Sequence, residues 1–505
     1  MDGLVWNALL AAVVVLVTCV AWWVRDRRRR HRFFKQHGIQ GPEPELLWGN
    51  RKELKKDAIN VMEKWIEQYG KVFGFYESEV PFIAVSDVEI IKQCFIKETN
   101  VFRDRAPIPL SVEPLASGLP FLTGDTWKKV RTLLNPTFSA LKMKHMTQIM
   151  KACTDEMAAV LDDRAKKGEA VDLFRVAQAL SLDMITRCAL AWQVDAQSNP
   201  DEPLLRELST IFLSVDNFVS RAAFWFPSLN KLIGWLHPLT KLAKTRRDIM
   251  ANLRKVIQLR RSGGSPKVPD MLQLMLNAQA GKKSSSGPHD EIGMLIEDRL
   301  LIANCFIFLV AGFDTTSVSL AYIMHVLAKY PEEQERIIGE MTEASPDNME
   351  LGYDEIQKLK RLDMVIKECL RLYPAVLTFA SRSCQQDITV MGQFIPAGAN
   401  LMIPVWHLHH SAEHWVDPLK FDPDRFSEDK AKPHVGTYIP FGLGPRACIG
   451  KRFAVLELKV AVCKVLRNFK VLQCEETQDP LQLIVPNATA YPKDGVKLKL
   501  ERRNP

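Results

Sequence analysis

The hydrophobic pattern first sets apart residues 4–24, which are almost wholly apolar. As an α-helix this stretch would be about 30 Å long, which matches the hydrocarbon core of a bilayer. Trp22 and Trp23 lie at its end, and tryptophan is enriched at the lipid–water interface. The pattern predicts a transmembrane helix.

Basic residues follow this stretch directly, at Arg25, at residues 27–30 and at Arg32. A cleaved signal peptide would carry its basic residues before a shorter apolar stretch, and a mitochondrial presequence would be rich in arginine throughout. Basic flanks of membrane helices stay on the cytosolic side. The order therefore predicts a single-pass anchor in the endoplasmic reticulum membrane, with the remaining chain facing the cytosol.

A connector is expected after the anchor. Residues 37–48 are rich in glycine and proline, which interrupt helices and stiffen the chain. We therefore expect residues 1–35 to form the membrane anchor with a basic stop-transfer block, residues 36–50 to form the connector, and residues 51–505 to form a single domain.

Helical periodicity dominates the rest of the chain. Residues 72–85 alternate apolar and polar side chains, which is typical of a small antiparallel sheet, whereas most of residues 88–329 repeats with a helical period. The predicted fold class is mainly α with small β-sheets.

One helical pattern is longer and more apolar than the others. It covers residues 296–329 and ends before Pro331, and we expect this helix to pass through the centre of the domain. Residues 262–269 and 281–289 are polar and rich in glycine, proline and serine. They are interpreted as surface loops on either side of a short helix.

The overall composition adds two constraints. The 505 residues are 47% hydrophobic and 25% charged, as in a folded protein. Much of the net charge of +8 lies in the basic block after the anchor, so no nucleic-acid partner is expected. The ten cysteines occur singly, without a CxxC pair or zinc-like spacing, which favours a reducing compartment and core positions for most of them.

One cysteine has an unusual setting. Residues 441–450 read FGLGPRACIG and lead into a helical pattern. Glycines let the backbone fold tightly around the sulfur of Cys448, and a helix start nearby stabilises a thiolate. Arg446 can pair with a carboxylate of a bound group, and Phe441 can pack against the plane of that group. The loop predicts an anionic sulfur ligand.

The spacing of Phe441, Gly444, Arg446, Cys448 and Gly450 resembles the haem-binding signature of cytochromes P450. The resemblance runs from the connector almost to the end of the chain and is strongest for the family 3 branch, which oxidises drugs and steroids. It implies that Cys448 is the axial thiolate ligand of the iron of haem b, whose electron donation favours cleavage of the oxygen–oxygen bond. It also makes the large domain a haem-thiolate catalytic domain.

A second motif places Glu368 and Arg371 three residues apart in an apolar helical stretch. A buried arginine needs a satisfied network, which Arg425 in the sequence PDRF can complete. The resemblance supplies the same three residues as a structural lock behind the haem loop, with a folding role.

A third motif, residues 311–316 (AGFDTT), lies midway along the long apolar helix. Close helix packing at Ala311 and Gly312 is one interpretation. An acid in such a helix is costly unless it is used, and the Thr315 hydroxyl can bond back to the helix and open it locally. The resemblance implies proton delivery during dioxygen activation, with Asp314 as proton supply and Thr315 as hydrogen-bonding partner.

The resemblance also implies residues that hold the two haem propionates. Trp127 and Arg131 share one face of a helical stretch, and Arg105 and Arg382 match further propionate partners in the drug- and steroid-oxidising branch. Together these cations balance two carboxylates in a dry pocket.

Four basic residues lie beside the haem-contacting segments: Lys128, Lys129, Lys451 and Arg452. They are either ordinary solvated side chains or a patch that attracts an acidic electron donor. The resemblance implies an NADPH-dependent flavoprotein reductase as that donor, with a cytochrome b-type protein as a second one.

Residues 211–235 are crowded with aromatic side chains, which predicts either a lid that touches the membrane or ordinary core packing. The resemblance implies an apolar pocket, and hence lipophilic substrates, lined by this segment, by residues 107–122 and by residues 375–379. Between Pro374 and Arg382 the chain is one residue longer than its relatives. The individual pocket residues expected are Ile307, Val310, Ala311, Ala375, Val376 and Leu377.

The resulting hypothesis is a monooxygenase that inserts one oxygen atom of O2 into a lipophilic small molecule, xenobiotic or steroid-like, with electrons from NADPH. One rival is a haem-thiolate isomerase of a lipid peroxide, similar to thromboxane synthase. Another is a haem-binding sensor or carrier without turnover. Asp314 and Thr315 favour the monooxygenase, because neither rival needs a proton-delivering pair.

Overall fold

The computed structural model describes residues 2–107, 112–199, 201–213, 218–263, 270–279, 297–346 and 351–503. These residues are mainly helical with small sheets, which confirms the predicted fold class. In chain order the α-helices are α1 (Asp2–Arg30), α2 (Phe33–Gln36), α3 (Arg51–Lys56), α4 (Ala58–Tyr69), α5 (Val88–Lys92), α6 (Gly124–Leu134), α7 (Ala140–Lys167), α8 (Leu173–Leu190), α9 (Pro203–Leu213), α10 (Phe218–Trp225), α11 (Asn230–Leu236), α12 (Lys241–Ser262), α13 (Met271–Gln279), α14 (Asp298–Lys329), α15 (Pro331–Ala344), α16 (Tyr353–Lys358), α17 (Lys360–Leu372), α18 (Val405–His410) and α19 (Lys451–Asn468).

The strands are short and belong to four separate sheets, ordered β1-β2-β7-β4, β5-β6, β3-β11-β8 and β10-β9. Their bounds are β1 (Val72–Glu77), β2 (Val80–Val85), β3 (Val171–Asp172), β4 (Ser381–Ser383), β5 (Ile388–Val390), β6 (Gln393–Ile395), β7 (Asn400–Met402), β8 (Phe469–Leu472), β9 (Leu483–Ile484), β10 (Tyr491–Pro492) and β11 (Lys497–Arg502).

The chain forms two compact units. The first contains residues 1–110, 218–233 and 381–404, and the second contains residues 111–217, 234–380 and 405–505. The second unit holds the long helices and most of the core, and the first holds α1 and the four-stranded sheet. The extent of the catalytic domain, residues 51–505, stays a prediction.

The first unit is built on an antiparallel hairpin. β1 pairs with β2 over its whole length, from Val72 opposite Val85 to Glu77 opposite Val80. Phe73 and Phe75 of β1 are fully buried against Trp65 of α4. The predicted antiparallel sheet at residues 72–85 is therefore confirmed.

Helix α1 is long and apolar enough to cross a membrane, and its apolar side chains are exposed. Its last turns pack into the first unit. Arg27 is only 1% exposed, donates a hydrogen bond to the Ser78 hydroxyl at 3.0 Å and pairs with Glu79 at 3.2 Å. A third bond goes to the Trp225 carbonyl. The basic block after the apolar stretch is thus not uniformly solvated, because Arg27 belongs to a packed core.

The second unit is organised around α14, which packs against α8, α17 and α19. It begins at Asp298 and ends at Lys329, and Pro331 starts the next helix, because proline is tolerated in a first helical turn but not in a helix interior. The predicted central helix is confirmed, although residue 296 lies outside the described part of the chain and Glu297 precedes the helix as its N-cap. α14 is also long and apolar enough to cross a membrane, but it is mostly buried and serves as a core helix.

The two predicted loops at 262–269 and 281–289 lie almost entirely outside the described residues. The short helix expected between them is present as α13. In the aromatic segment 211–235, helices α10 and α11 form, and exposed side chains such as Phe218 and Trp235 are not core residues.

Candidate active site

The loop before α19 is folded tightly around Cys448. Gly442 and Gly444 adopt positive φ angles of 72° and 70°, a conformation that favours residues without a Cβ atom. The Cys448 N–H donates to the Phe441 carbonyl at 2.8 Å, which closes the loop. The thiol is exposed three residues before the start of α19, where the helix dipole stabilises an anionic sulfur.

Two arginines surround this loop. Arg446 is buried, donates to the Leu122 carbonyl at 2.8 Å and lies over the Trp127 ring at 3.9 Å. Arg131 of α6 donates to the Ala447 carbonyl at 3.0 Å. Burial lowers the pKa of Arg131, and the charge of Cys448 raises it, so this guanidinium lies within electrostatic reach of the thiolate.

The other cysteines have different surroundings. Seven of the ten are buried and none forms a disulfide, which confirms that most are core residues. Burial raises the pKa of thiols such as Cys94 and Cys153 to about 12, which keeps them protonated and unreactive. Outside the membrane-type helix α1, Cys448 is the exposed thiol of this chain.

The middle of α14 carries the acid–alcohol pair. The Thr315 hydroxyl donates to the Ala311 carbonyl at 2.9 Å, as expected for a back-bond, but the α-helix continues through this turn and the predicted local opening is absent. Asp314 is 2% exposed, and burial raises its pKa to about 7. A carboxyl with this pKa exchanges its proton near neutral pH.

The partners of Asp314 come from the C-terminal segment. The Tyr491 hydroxyl lies 2.8 and 2.9 Å from the two carboxylate oxygens, and the Thr489 hydroxyl lies 2.9 Å from one of them. The sequence contained no signal for these contacts beyond the general rule that a buried acid must find hydrogen-bond donors. Sequence reasoning therefore missed both residues.

The middle of α14 presents small side chains in the same unit as Cys448. Helix α14 is buried along most of its length, yet Ala311 at its middle is exposed and Thr315 is half-buried. These small side chains leave the middle of the helix accessible in the unit that also carries Cys448. Among the described residues, no three His, Cys, Asp or Glu side chains cluster as a metal site. Cys448 is the residue that would hold the iron of a bound haem.

The lock residues meet behind the cysteine loop. Arg371 makes two hydrogen bonds to Glu368 at 2.7 and 2.8 Å, and Arg425 reaches the same carboxylate at 3.2 Å. The Arg371 guanidinium also donates to the carbonyls of His409 and Pro418, each at 2.7 Å. Because Glu368 and Arg371 are fully buried, each charge is satisfied only by this network.

A histidine absent from the sequence-based site joins the lock to the loop. His409 is fully buried, and burial lowers its pKa to about 3, so the ring is neutral. Its Nε2 accepts from the Ile439 N–H at 2.9 Å, which leaves Nδ1 to donate to the Arg371 carbonyl at 3.2 Å. Ile439 in turn accepts from the Gly442 N–H at 3.0 Å. The lock therefore supports the loop through a continuous chain of bonds.

Two predicted propionate partners lie in the first unit. Arg382 is buried on β4 over the ring of Phe95, at 4.7 Å from its centroid. Arg105 belongs to the same unit, as part of residues 1–110. Their role toward haem stays a prediction.

The four basic residues proposed for partner docking are all exposed in the second unit: Lys128, Lys129, Lys451 and Arg452. The Lys451 ammonium lies 5.7 Å from the centroid of the Phe441 ring, beside the cysteine loop. This position is compatible with either a solvated or a docking role, and docking stays a prediction.

The predicted pocket residues of the second unit lie on two elements. Ile307, Val310 and Ala311 are on α14, and a Cβ atom at Gly118 would lie only 2.3 Å from the Ile307 side chain. The loop residues Ala375, Val376 and Leu377 pair with residues 488–490. The bonds run from the Ala490 N–H to the Ala375 carbonyl at 2.9 Å and from the Leu377 N–H to the Ala488 carbonyl at 2.8 Å.

Comparisons with known proteins agree with this geometry. The family model for Cytochrome P450 matches residues 39–500. Cytochrome P450 3A29 of Sus scrofa is 34% identical over 482 residues, which covers 94% of this chain and 93% of the relative. Cytochrome P450 3A18 of Rattus norvegicus is 33% identical over 504 residues, with 99% of each chain covered. Cytochrome P450 3A7 of Homo sapiens is 34% identical over 460 residues, with 90% of each covered.

These similarities confirm the resemblance to the family 3 branch. They cover almost the whole chain, including the cysteine loop, the lock and the acid–alcohol helix. The chain therefore belongs to the cytochrome P450 family, and it is a haem-dependent monooxygenase.

Proposed function

We propose that this monooxygenase inserts one oxygen atom of O2 into a lipophilic small molecule, either a xenobiotic or a steroid-like compound, with electrons from NADPH through a flavoprotein reductase. A cytochrome b-type protein is a second donor. The relatives' family 3 names support a broad lipophilic substrate class, and so do the mostly apolar residues predicted to line the pocket.

The observation that carries this proposal is the acid–alcohol pair on the central helix of the unit that bears Cys448. Asp314 holds its proton near neutral pH, and the half-buried Thr315 hydroxyl lies one residue along the same helix. A haem-thiolate isomerase or a carrier gains nothing from a titratable acid here. Proton supply is needed when dioxygen is reduced with external electrons.

Each side chain then has a separate task. Haem, when bound, supplies the redox chemistry and the site of dioxygen activation. The Cys448 sulfur would hold the iron as an anionic ligand, and the nearby start of α19 and the Arg131 guanidinium would stabilise its negative charge. Arg446, Arg131 and Trp127 are proposed to hold haem propionates. Phe441 would pack against the ring.

The proposed setting is the endoplasmic reticulum membrane. Helix α1 would act as a single-pass anchor with the catalytic domain in the cytosol, because its apolar face is exposed and basic residues follow it. The exposed cations Lys128, Lys129, Lys451 and Arg452 would attract an acidic reductase from the cytosolic side.

Replacing Thr315 by alanine tests the proton-delivery role. We expect NADPH consumption to continue while product per NADPH falls and hydrogen peroxide rises, because the hydroxyl that guides the proton is absent. Thr316→Ala is the matched control, since Thr316 is a buried threonine next along the helix. Equal coupling in the two variants would contradict the assignment.

Replacing Cys448 by histidine tests the ligand. The reduced carbon monoxide complex of the wild type should show the thiolate-type Soret band, and Cys448→His should lose it. Cys474→Ser is the control, because Cys474 is a half-buried cysteine away from the loop. An unchanged band in Cys448→His would refute the assignment of the ligand.

The reaction class is tested with purified reductase and a panel of lipophilic compounds. A monooxygenase consumes NADPH and forms hydroxylated or dealkylated products from at least one compound. Turnover of a lipid peroxide without NADPH would instead identify an isomerase. Haem binding without any turnover would identify a carrier.

A further inference from the structure

Two hydroxyl groups hold the Asp314 carboxylate on the side of α14 that faces the C-terminal segment. We propose that Thr489 and Tyr491 are positioning residues of the proton-delivery step, which fix the orientation of Asp314 and set the equilibrium of its proton. This inference rests on the proposed role of Asp314 as proton supply. It adds two residues that no motif of the sequence indicates.

The first argument is the geometry of the contacts. Tyr491 lies 2.8 and 2.9 Å from the two Asp314 oxygens, and Thr489 lies 2.9 Å from one of them. Both hydroxyls can donate to the ionised carboxylate. When Asp314 is protonated, either hydroxyl can rotate and accept instead. The same partners therefore serve both protonation states without a large rearrangement.

The second argument is the absence of a cation at this acid. Within the described part of the chain, no salt bridge is formed by Asp314, and the ionisable groups that interact with it are Tyr322 and Tyr491. Burial raises the pKa of both tyrosines, so they remain neutral. An arginine partner would stabilise the ionised carboxylate and block proton uptake. Hydroxyl partners leave the pKa of Asp314 near neutral.

The third argument is that the two hydroxyls stand on an anchored segment. β10 begins at Tyr491 and pairs with β9. The Tyr322 hydroxyl of α14 donates to the Ala490 carbonyl at 2.7 Å, and Val376 forms an isolated bridge with Thr489. The segment is thus tied both to α14 and to the loop predicted to face the substrate. A change in the conformation of that loop would therefore move the hydroxyl groups that bind Asp314.

The variants Tyr491→Phe and Thr489→Val remove the hydroxyls with little change in shape. In the haem-loaded protein, the carboxylic acid C=O stretch of Asp314 is measured by infrared spectroscopy across a pH series, with Asp314→Asn as the subtraction reference. We expect Tyr491→Phe to raise the titration midpoint by about one pH unit, because hydrogen bonds to the ionised form are lost. Thr489→Val should give a smaller shift, since it removes one contact.

The same variants are assayed for coupling, as product formed per NADPH consumed. We expect Tyr491→Phe to lower coupling about tenfold, because a carboxylate free to rotate delivers its proton less often in the productive geometry. Tyr322→Phe is the matched control. It removes another buried phenol hydroxyl, which bonds the Ala490 carbonyl of the same segment but makes no hydrogen bond to Asp314, so it should shift the infrared midpoint less than Tyr491→Phe does.

The outcomes separate this inference from the proposed function. If Asp314→Asn retains full coupling, the proton-supply role of Asp314 is wrong and the inference falls with it. If Asp314→Asn uncouples the enzyme but Tyr491→Phe and Thr489→Val keep the wild-type midpoint and coupling, only the inference is wrong. An unchanged Soret band of the reduced carbon monoxide complex in each variant shows that the fold and the thiolate are intact.

Discussion

The second unit buries acids in two contrasting ways. Behind the cysteine loop, Glu368 is surrounded by the guanidiniums of Arg371 and Arg425. Asp314 on α14 and Glu457 on α19 are also buried. Their side-chain partners among the described residues are hydroxyl groups, those of Thr489 and Tyr491 for Asp314 and that of Ser181 for Glu457. One region compensates its negative charge with positive charge, and the other does not.

This difference separates structural acids from titratable ones. A carboxylate that is paired with two guanidiniums fixes the geometry around it. A carboxyl among hydroxyls stays near its neutral form, and burial raises the pKa of Asp314 to about 7 and that of Glu457 to about 8. Of these two, only Asp314 lies beside Thr315 and the exposed Ala311, so burial alone does not identify the functional acid.

The largest effect is expected from Glu368→Gln. The change removes the carboxylate that pairs with Arg371 and Arg425 and leaves the buried Arg371 guanidinium without an anion among the described residues, which costs about 3–5 kcal/mol of stability. Denaturant unfolding of the haem-loaded protein, followed by the Soret band, measures this loss.

The matched control for this change is Glu428→Gln. Glu428 pairs with Lys360 at 2.8 Å, but both side chains are exposed, so the free energy of unfolding should change little. A loss in Glu368→Gln no greater than that in the control would mean that the lock is not a structural element.

The next effect concerns Glu457 and pH. Its Oε1 accepts from the Ser181 hydroxyl at 2.7 Å, and its Oε2 has no partner among the described residues. The nearby thiols of Cys153 and Cys188 stay neutral because burial raises their pKa. The folded state thus binds the Glu457 proton more tightly than the unfolded chain does. This contribution to stability is complete below about pH 4.5 and is lost as pH rises to about 8.

Glu457→Gln should remove that dependence. The amide does not titrate, so the variant should gain about 2–4 kcal/mol relative to the wild type between pH 5 and pH 8. Denaturant unfolding at several pH values tests this. Parallel pH profiles for the two proteins would show that Glu457 is not protonated in the folded state.

The smallest effect is expected from Ser181→Ala. Loss of the hydroxyl that lowers the pKa of Glu457 should extend the titration to higher pH and cost about 1 kcal/mol at alkaline pH. Thr147→Val is the control, because the Thr147 hydroxyl is buried and donates to the Met143 backbone carbonyl. Its effect on the free energy of unfolding should not vary with pH. A pH-dependent loss in the control would mean that the effect of Ser181→Ala does not report on Glu457.

Much of the architecture was predictable because periodicity is a local property. The hairpin at residues 72–85, the central helix that ends before Pro331, and the tight loop around Cys448 all follow from the order of apolar, polar and glycine residues. The trio of Glu368, Arg371 and Arg425 was also found from its motif, and the three side chains meet as expected.

Other features were beyond the reach of local pattern. Arg27 was interpreted as part of the basic stop-transfer block after the anchor, and nothing in that block indicates that it is buried and contacts Ser78 and Glu79. His409 has no distinctive neighbours in the sequence. The fold gives its neutral ring two hydrogen bonds, one to the Arg371 carbonyl and one from the Ile439 N–H.

The sequence by itself determined the family and predicted the sulfur ligand and the acid–alcohol pair, because each depends on residue types at short fixed spacings along one segment. The tertiary structure alone decided the partners of each buried charge. Asp314 and Tyr491 are separated by 177 residues in the chain, and no local pattern records that distance. The pKa of a buried acid is set by whichever groups the fold brings to it. Arginines therefore make Glu368 a structural element, and hydroxyls leave Asp314 able to exchange a proton.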